Sequence, residues 1–369
     1  MRPFTLLIKP ASADCNMRCK YCFYLEKSSL YPDKKNHRMT GKTLEKLISS
    51  YMKTSQPCYT FGWQGGEPTL MRTDFFKDAV RFQEKFGKKG SMVTNGLQTN
   101  TTLIDKDMAG FLAKYRFLLG VSLDGPKHIH DYYRKLRNGQ GTFDRVMKGI
   151  EILKGARVEF NILVLVNDFN FNKAGEIYDF LVEKGFYYHQ YIPCVEFDRE
   201  GKLEPYSING GNWGIFLNDI FKKWYPNDIY KVSIRLFDSI LKYLVNGSSA
   251  ICHMENNCSQ YFVVEYNGDV YPCDFFVRKE MLLGNIHTHS WEEMVGSDKY
   301  NDFGKAKSGY GFLCNSCQYL DICYGDCLKH RSYMPHEPSK LSSLCSGWKM
   351  FYGATLPIFN NIASSLRKS

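Results

Sequence analysis

Apolar and polar positions along the chain alternate between two periods. Short apolar runs at Phe4–Ile8, Tyr59–Trp63, Met92–Thr94, Phe117–Leu123, Val158–Val166 and Tyr187–Ile192 predict buried strands. Between and after them, apolar residues recur at helical spacing over Thr40–Met52, Asp74–Phe86, Asp105–Tyr115, Thr142–Lys154, Asn172–Lys184 and Trp213–Trp224. Thr40 stands where an N-cap belongs, and Gly185 where a helix stops. Six strand–helix units predict a parallel sheet with helices outside, closed or partly closed as a (β/α)6 barrel. Such a barrel places its chemistry at the C-terminal ends of its strands. One more helix, Val232–Val245, ends at Gly247, and beyond Ser248-Ser249 cysteine becomes dense and regular patterning sparse. The expected organisation is an α/β partial barrel over 1–230, a connecting helix and linker over 231–251, and a loop-rich, Cys-rich domain with a C-terminal helix over 252–369.

Composition changes this picture little. The chain is 44% hydrophobic and 15% aromatic, enough for a packed core and a ligand pocket. The net charge of +10 is spread out. Its densest runs, Asp33-Lys34-Lys35-Asn36-His37-Arg38 and Lys85-Phe86-Gly87-Lys88-Lys89, lack the aromatic interleaving of a nucleic-acid site and read as solvated loops and helix ends. No apolar run approaches the ~20 residues of a membrane span. Phe4–Ile8 is too short for a signal-peptide core, so a cytoplasmic protein of a reducing, anaerobic cell is expected, with no nucleic-acid or membrane partner.

Cysteine carries the chemistry. Cys15, Cys19 and Cys22 fall within eight residues, in the loop after the first strand. Thiolates at such short spacing hold iron–sulfur clusters. Three ligands with no fourth nearby leave one iron open to a small chelating ligand. A zinc knuckle and a disulfide cluster are the alternatives, although structural zinc wants a closed set of four. Gln64-Gly65-Gly66-Glu67-Pro68 follows the second strand, Thr94-Asn95-Gly96 the third, Ser122-Leu123-Asp124-Gly125 ends the fourth, and Pro193-Cys194 follows the sixth. A barrel would bring all of these together.

The CxxxCxxC loop and the Gly-Gly-Glu-Pro segment resemble the radical S-adenosylmethionine (SAM) enzymes. The resemblance implies a [4Fe–4S] cluster on Cys15, Cys19 and Cys22, with SAM on the open iron. It implies SAM contacts from Tyr21, Gly65, Gly66, Glu67, Ser122, Arg134 and Val195. Arg134 suits a carboxylate because its guanidinium pairs bidentately, though a surface salt bridge is the plainer role. Asp124 reads as a turn residue. Tyr24 and Gln64, beside these motifs, are candidates for substrate contact, or for packing at the barrel mouth.

Eight further cysteines follow: Cys252, Cys258, Cys273, Cys314, Cys317, Cys323, Cys327 and Cys345. Asn267-Gly268, between Phe262–Glu265 and Val270–Tyr271, signals a hairpin. The pattern resembles the SPASM extension of peptide-modifying radical SAM enzymes; a pair of zinc ribbons is the alternative. The resemblance implies two auxiliary [4Fe–4S] clusters, three in all. One would sit on Cys252, Cys258, Cys273 and Cys327, the other on Cys314, Cys317, Cys323 and Cys345. With Tyr271-Pro272-Cys273-Asp274-Phe275, Cys22-Phe23-Tyr24 and Gln64, the whole chain resembles the anaerobic sulfatase-maturating enzymes. That implies oxidation of a Cys or Ser in an unfolded sulfatase segment or sulfatase-motif peptide to formylglycine. Asp274 would be the catalytic base, and a flavodoxin or ferredoxin the electron donor. A maturase of ribosomal peptides, and a non-catalytic iron–sulfur or zinc scaffold, are the other readings. Cys58 and Cys194 fall outside every set and read as small buried hydrophobes.

Overall fold

The computed structural model describes residues 2–32, 35–333 and 338–367. Its contacts divide the chain into two compact units, and neither is one continuous segment. The first comprises residues 1–122, 134–160 and 259–304, the second residues 123–133, 161–258 and 305–369. This division runs differently from three consecutive segments, because the hairpin after residue 260 adds its strands to the sheet of the N-terminal part.

The strands are β1 (Thr5–Lys9), β2 (Tyr59–Trp63), β3 (Val93–Thr99), β4 (Leu118–Ser122), β5 (Phe160–Val166), β6 (Tyr188–Pro193), β7 (Ser233–Ile234), β8 (Tyr261–Glu265), β9 (Asp269–Tyr271) and β10 (Gly284–Asn285). In the first unit β1, β2, β3 and β4 lie side by side and parallel. On the other edge of β1, β8 also runs parallel, with Lys9 opposite Glu265 in register. The hairpin β8–β9 is antiparallel, and Gly268 at its turn has φ +91°. That is the left-handed region where glycine is unstrained. In the second unit β6 pairs in parallel with β5 and with β7.

The helices follow the sequence pattern closely. Thr40 caps the helix Gly41–Lys53, its side chain accepting from Thr43 N. Asp105 does the same for Lys106–Lys114. The helices Arg72–Phe86, Phe143–Gly155, Ala174–Glu183 and Gly210–Trp224 match their expected positions. The segment 232–245 begins differently: Ser233–Ile234 is a strand, and the helix is Arg235–Asn246.

The third strand is longer than expected. Thr94-Asn95-Gly96 lies inside β3 rather than in a loop after it. Asn95 is buried there, its amide paired with Gln83 and accepting from Trp63 Nε1 at 3.0 Å. A polar residue inside a strand is tolerated because its hydrogen bonds are met. The basic run at 33–38 is also not simply solvated. His37 is buried, with Nδ1 2.9 Å from Asp14 Oδ1 and Arg38 2.7 Å from Asp14 Oδ2; Asp33 and Lys34 lie outside the described residues.

Trp63, Phe76, Phe61 and Phe117 fill the first core, all essentially unexposed. The second is an aromatic cluster of Phe221, Trp224, Phe237, Phe351 and Phe359. It is closed by the long helix Cys345–Leu366 lying on Gly210–Trp224. The helix backbones approach so closely that a Cβ on Gly347 would meet Gly210 O at 2.1 Å.

His189 sits neutral in the second unit. Its Nε2 faces Phe186 O at 2.8 Å and its Nδ1 faces Tyr191 OH at 3.0 Å. Burial pulls its pKa from 6.5 to about 4. Between those values the unfolded chain binds a proton that the folded chain refuses, so stability rises with pH across this window and is lost on acidification. The loss is about 3 kcal/mol. Denaturant midpoints at pH 7 and pH 4.5 check this: His189→Gln should lose markedly less stability on acidification than wild type.

Candidate functional site

The loop after β1 in the first unit is fixed by its backbone. Ser12 N donates to Lys9 O, Asp14 N to Ala11 O, and Cys22 N to Cys19 O. Arg137 holds Cys15 O at 3.1 Å, and Asn100 Nδ2 reaches Asn16 Oδ1 at 3.0 Å. Burial, then Glu67 and the neighbouring Cys19 and Cys22 thiols, push the Cys15 thiol up to about 12. A thiol that ligates a metal gives up its proton, so loading such a site releases protons.

The Gly65-Gly66 turn lies directly against this loop. Gly66 N donates to Ser12 O and Glu67 N to Asp14 O, each at 2.8 Å. A Cβ on Gly65 would stand 2.5 Å from Ser12 O, and one on Gly66 2.0 Å from Asp14 O. The close approach that needs two glycines is therefore to the chain's own cysteine loop. The Glu67 carboxylate is buried and occupied by Thr69 N, Thr69 Oγ1, Thr99 Oγ1 and Asn100 N. Burial raises its pKa against the pull of those donors. It ties the turn to the end of β3. Arg134 is buried and donates to Tyr21 OH at 3.0 Å. Ser122 closes β4, half-buried. Val195 is fully buried in the second unit, and there Asp124 accepts from Leu165 N at 3.2 Å, so it does more than make a turn.

Asp274 is the centre of a second group in the first unit. It opens a short turn after Cys273 and is 4% exposed. Tyr24, on the short helix Tyr24–Lys27, donates its phenol to Asp274 Oδ2. Gln64 Nε2 lies 3.4 Å from Tyr24 OH and 3.5 Å from the same carboxylate oxygen. The sequence pointed to these three separately, and the fold brings them together.

Two lysines and a glutamate that the sequence reading passed over complete the group. Lys9 Nζ is fully buried, 2.7 Å from Glu265 Oε1, 3.4 Å from Asp274 Oδ1, and 4.9 Å from the centre of the Tyr24 ring. Burial pulls the Lys9 ammonium down, but Glu265 and Asp274 outweigh it and hold its pKa above the ordinary value. Lys27 Nζ donates to Asp274 O at 2.7 Å and Phe275 O at 3.1 Å. Burial lowers it to about 8, against the pull of Asp274. Burial, then the Asp274 carboxylate, push Tyr24 well above its usual range. The arrangement holds one carboxylate between a phenol, an amide and an ammonium. Lys9 marks the end of the first apolar run, and only its pairing opposite Glu265 reveals it.

In the second unit Cys314, Cys317, Cys323 and Cys345 line one cavity with Tyr319, Leu320 and Trp348. Among the described residues no group of three or more His, Cys, Asp or Glu side chains is gathered tightly enough for a single metal ion. Four thiols around a cavity suit a larger cluster. Cys194 is buried as expected, but Cys58 is only half-buried just before β2, where its Sγ meets the polar Thr94 Oγ1 at 3.7 Å. Alanine at either position should leave iron content per chain unchanged; a loss of about four irons, one cubane, would mark a further ligand.

The model of the Radical SAM superfamily matches residues 10–181, and that of an iron-sulfur cluster-binding domain matches residues 252–318. The chain is 35% identical to a serine-type anaerobic sulfatase-maturating enzyme of Bacteroides thetaiotaomicron, covering 99% of this chain and 92% of that protein. It is 36% identical to a cysteine-type enzyme of Clostridium perfringens over 100% of both. A solved structure of anSMEcpe with bound AdoMet and Cp18Cys peptide superimposes with a TM-score of 0.92 at 35% identity, covering 99% of this chain and 100% of that one. Streptococcus suis SuiB bound to precursor peptide SuiA shares the fold, with a TM-score of 0.67 at 19% identity, over 93% of this chain and 76% of SuiB. The fold is the partial (β/α)6 barrel of the radical SAM enzymes with a Cys-rich extension. With this identity sustained from end to end, the chain belongs to the anaerobic sulfatase-maturating enzymes.

Proposed function

We propose that this chain oxidises a Cys or Ser residue of a sulfatase polypeptide, presented as an unfolded segment, to Cα-formylglycine. The observation that carries this reading is the convergence of Asp274, Tyr24 and Gln64 in the unit that also holds Cys15, Cys19 and Cys22. The eleven cysteines of the three sets fit three [4Fe–4S] clusters: their donors are thiols throughout, and four of them already line one cavity. An open-iron cluster with SAM supplies, when bound, a 5′-deoxyadenosyl radical able to take a hydrogen atom from Cβ of the target. Tyr21, Gly65, Gly66, Glu67, Ser122, Arg134 and Val195 are the residues proposed to hold SAM.

The remaining work falls to the chain's own side chains. Asp274 accepts the thiol or hydroxyl proton of the target residue. Lys9 gives that carboxylate a cation 3.4 Å away in a buried site where a lone charge would be costly. Tyr24 and Gln64 hold one of its oxygens, and their place beside the base supports a role in contacting the target side chain. A small electron carrier such as a flavodoxin or ferredoxin is the proposed donor, and the reducing cytoplasm the proposed location. No helix among the described residues is long and apolar enough to cross a membrane. The test is anaerobic incubation of the reconstituted enzyme with SAM, a reductant and peptides carrying the sulfatase motif with Cys or with Ser. Mass spectrometry should show formylglycine in at least one peptide; a crosslinked peptide, or none altered, would refute the reading.

A further inference from the structure

The second unit holds a group of buried charges that the site around Asp274 does not use. Lys307 follows the helix Asp298–Ala306 and is 0% exposed. Its Nζ donates to three backbone carbonyls: His253 O at 3.0 Å, Tyr324 O at 2.8 Å, and Asp326 O. Only an ammonium has three N–H donors to give, so this geometry is that of the charged form. Arg331, also buried, donates Nε to Gly325 O at 3.1 Å and Nη2 to Lys307 O at 2.9 Å.

The loop that receives these bonds is itself unusual. Tyr324, Gly325 and Asp326 have φ of +46°, +67° and +60°, three left-handed residues in a row. Residues with side chains avoid that region, and they hold it only where their surroundings impose it. The three residues connect Cys323 to Cys327, and their carbonyls turn toward Lys307 and Arg331.

A buried ammonium normally has a counter-ion. Among the described residues no carboxylate oxygen comes within ion-pair distance of Lys307 Nζ. The one acid in the group, Asp326, gives Lys307 only its carbonyl. Its carboxylate is engaged by His330 Nδ1 at 2.8 Å and Ser342 Oγ at 2.6 Å. What Lys307 Nζ does hold is backbone beside the proposed cluster ligands: His253 follows Cys252, and Tyr324 and Asp326 lie in the loop between Cys323 and Cys327.

We propose that Lys307, with Arg331 behind it, is a built-in counter-charge that raises the reduction potential of the auxiliary cluster to which Cys258 and Cys327 contribute. This rests on the cluster assignment given above. Reduction adds one negative charge to such a cluster, and a fixed cation in a low-dielectric site stabilises that added charge. Hydrogen bonds and charge around the sulfurs are established determinants of iron–sulfur potentials. The consequence matches the chemistry: formylglycine formation removes two electrons from the target, one leaving with the hydrogen atom. The other needs an acceptor that is easily reduced.

The test compares anaerobically reconstituted wild type with Lys307→Met, Lys307→Arg and Arg331→Met, by iron and sulfide assay and by potentiometric titration followed by EPR. Lys307→Met should keep its iron and make one cluster at least about tenfold harder to reduce, about 59 mV for a one-electron couple. Arg331→Met should shift the same cluster in the same direction by less, and Lys307→Arg should stay close to wild type. Unchanged midpoints in an iron-replete Lys307→Met, or a shift toward easier reduction, would overturn the proposal. If Lys307→Met loses iron, Arg331→Met decides by the same criterion; iron loss in both would reduce the pair to a scaffold and also overturn it. A wild type holding only about four irons would instead sink the cluster assignment itself.

Discussion

Replacing Cys15, Cys19 and Cys22 together by Ala is expected to abolish formation of 5′-deoxyadenosine from SAM and to remove about four irons per chain. The three thiols are the only cysteines of the β1 loop, and Ala deletes just the sulfur that would bind metal. The change removes the sulfur that accepts from Met17 N at 3.3 Å, but the loop should survive because backbone contacts remain. Ser12 N–Lys9 O, Cys22 N–Cys19 O and Arg137–Cys15 O involve no sulfur. The Gly65-Gly66 turn packs against the backbone of Ser12 and Asp14. The other eight cysteines of the proposed sets are untouched, so about eight irons should remain. Iron and sulfide assays with quantification of 5′-deoxyadenosine check both halves. A triple variant that still cleaves SAM, or that loses all its iron, would break the assignment of a separate open-iron site.

Much of this fold was legible because strands and helices declared their own periods. The regular alternation up to Trp224 gave the parallel strands and their helices, and Asn267-Gly268 gave the hairpin. What escaped were features made by distant pairing. Lys9 reads as a charged residue that ends an apolar run, yet it is fully buried, because β8 pairs in parallel with β1 and sets Glu265 opposite it. No local pattern places residue 265 beside residue 9. The extra length of β3 escaped for a related reason: Asn95 looks like a turn residue until Gln83 and Trp63 satisfy its amide. The strained Tyr324–Asp326 loop has an ordinary turn composition, and its purpose shows only once Lys307 and Arg331 are seen donating to it. The cysteine sets were legible for the opposite reason, since ligand spacing is local information.

Asp274→Asn is expected to separate SAM cleavage from product formation. Asn keeps the shape of the side chain and its place beside Tyr24 and Gln64, but it cannot take a full proton. SAM cleavage depends on the loop at Cys15–Cys22, which the substitution leaves alone, so 5′-deoxyadenosine should still form. After a hydrogen atom leaves Cβ, the thiol or hydroxyl on that carbon becomes far more acidic, because its deprotonation gives a strongly reducing radical anion. Proton loss therefore precedes or accompanies loss of the second electron, and a base at this point is worth roughly 10²–10⁴-fold. Without it the substrate radical is quenched or returned, and formylglycine should fall by about that factor relative to 5′-deoxyadenosine. The substitution also leaves Lys9 paired with Glu265, 2.7 Å away, so the buried ammonium keeps an ion pair and the fold should hold. Thermal unfolding and iron content, measured beside the product ratio, separate a chemical defect from a folding one. A ratio of formylglycine to 5′-deoxyadenosine like that of wild type would reduce Asp274 to a residue that shapes the turn after Cys273.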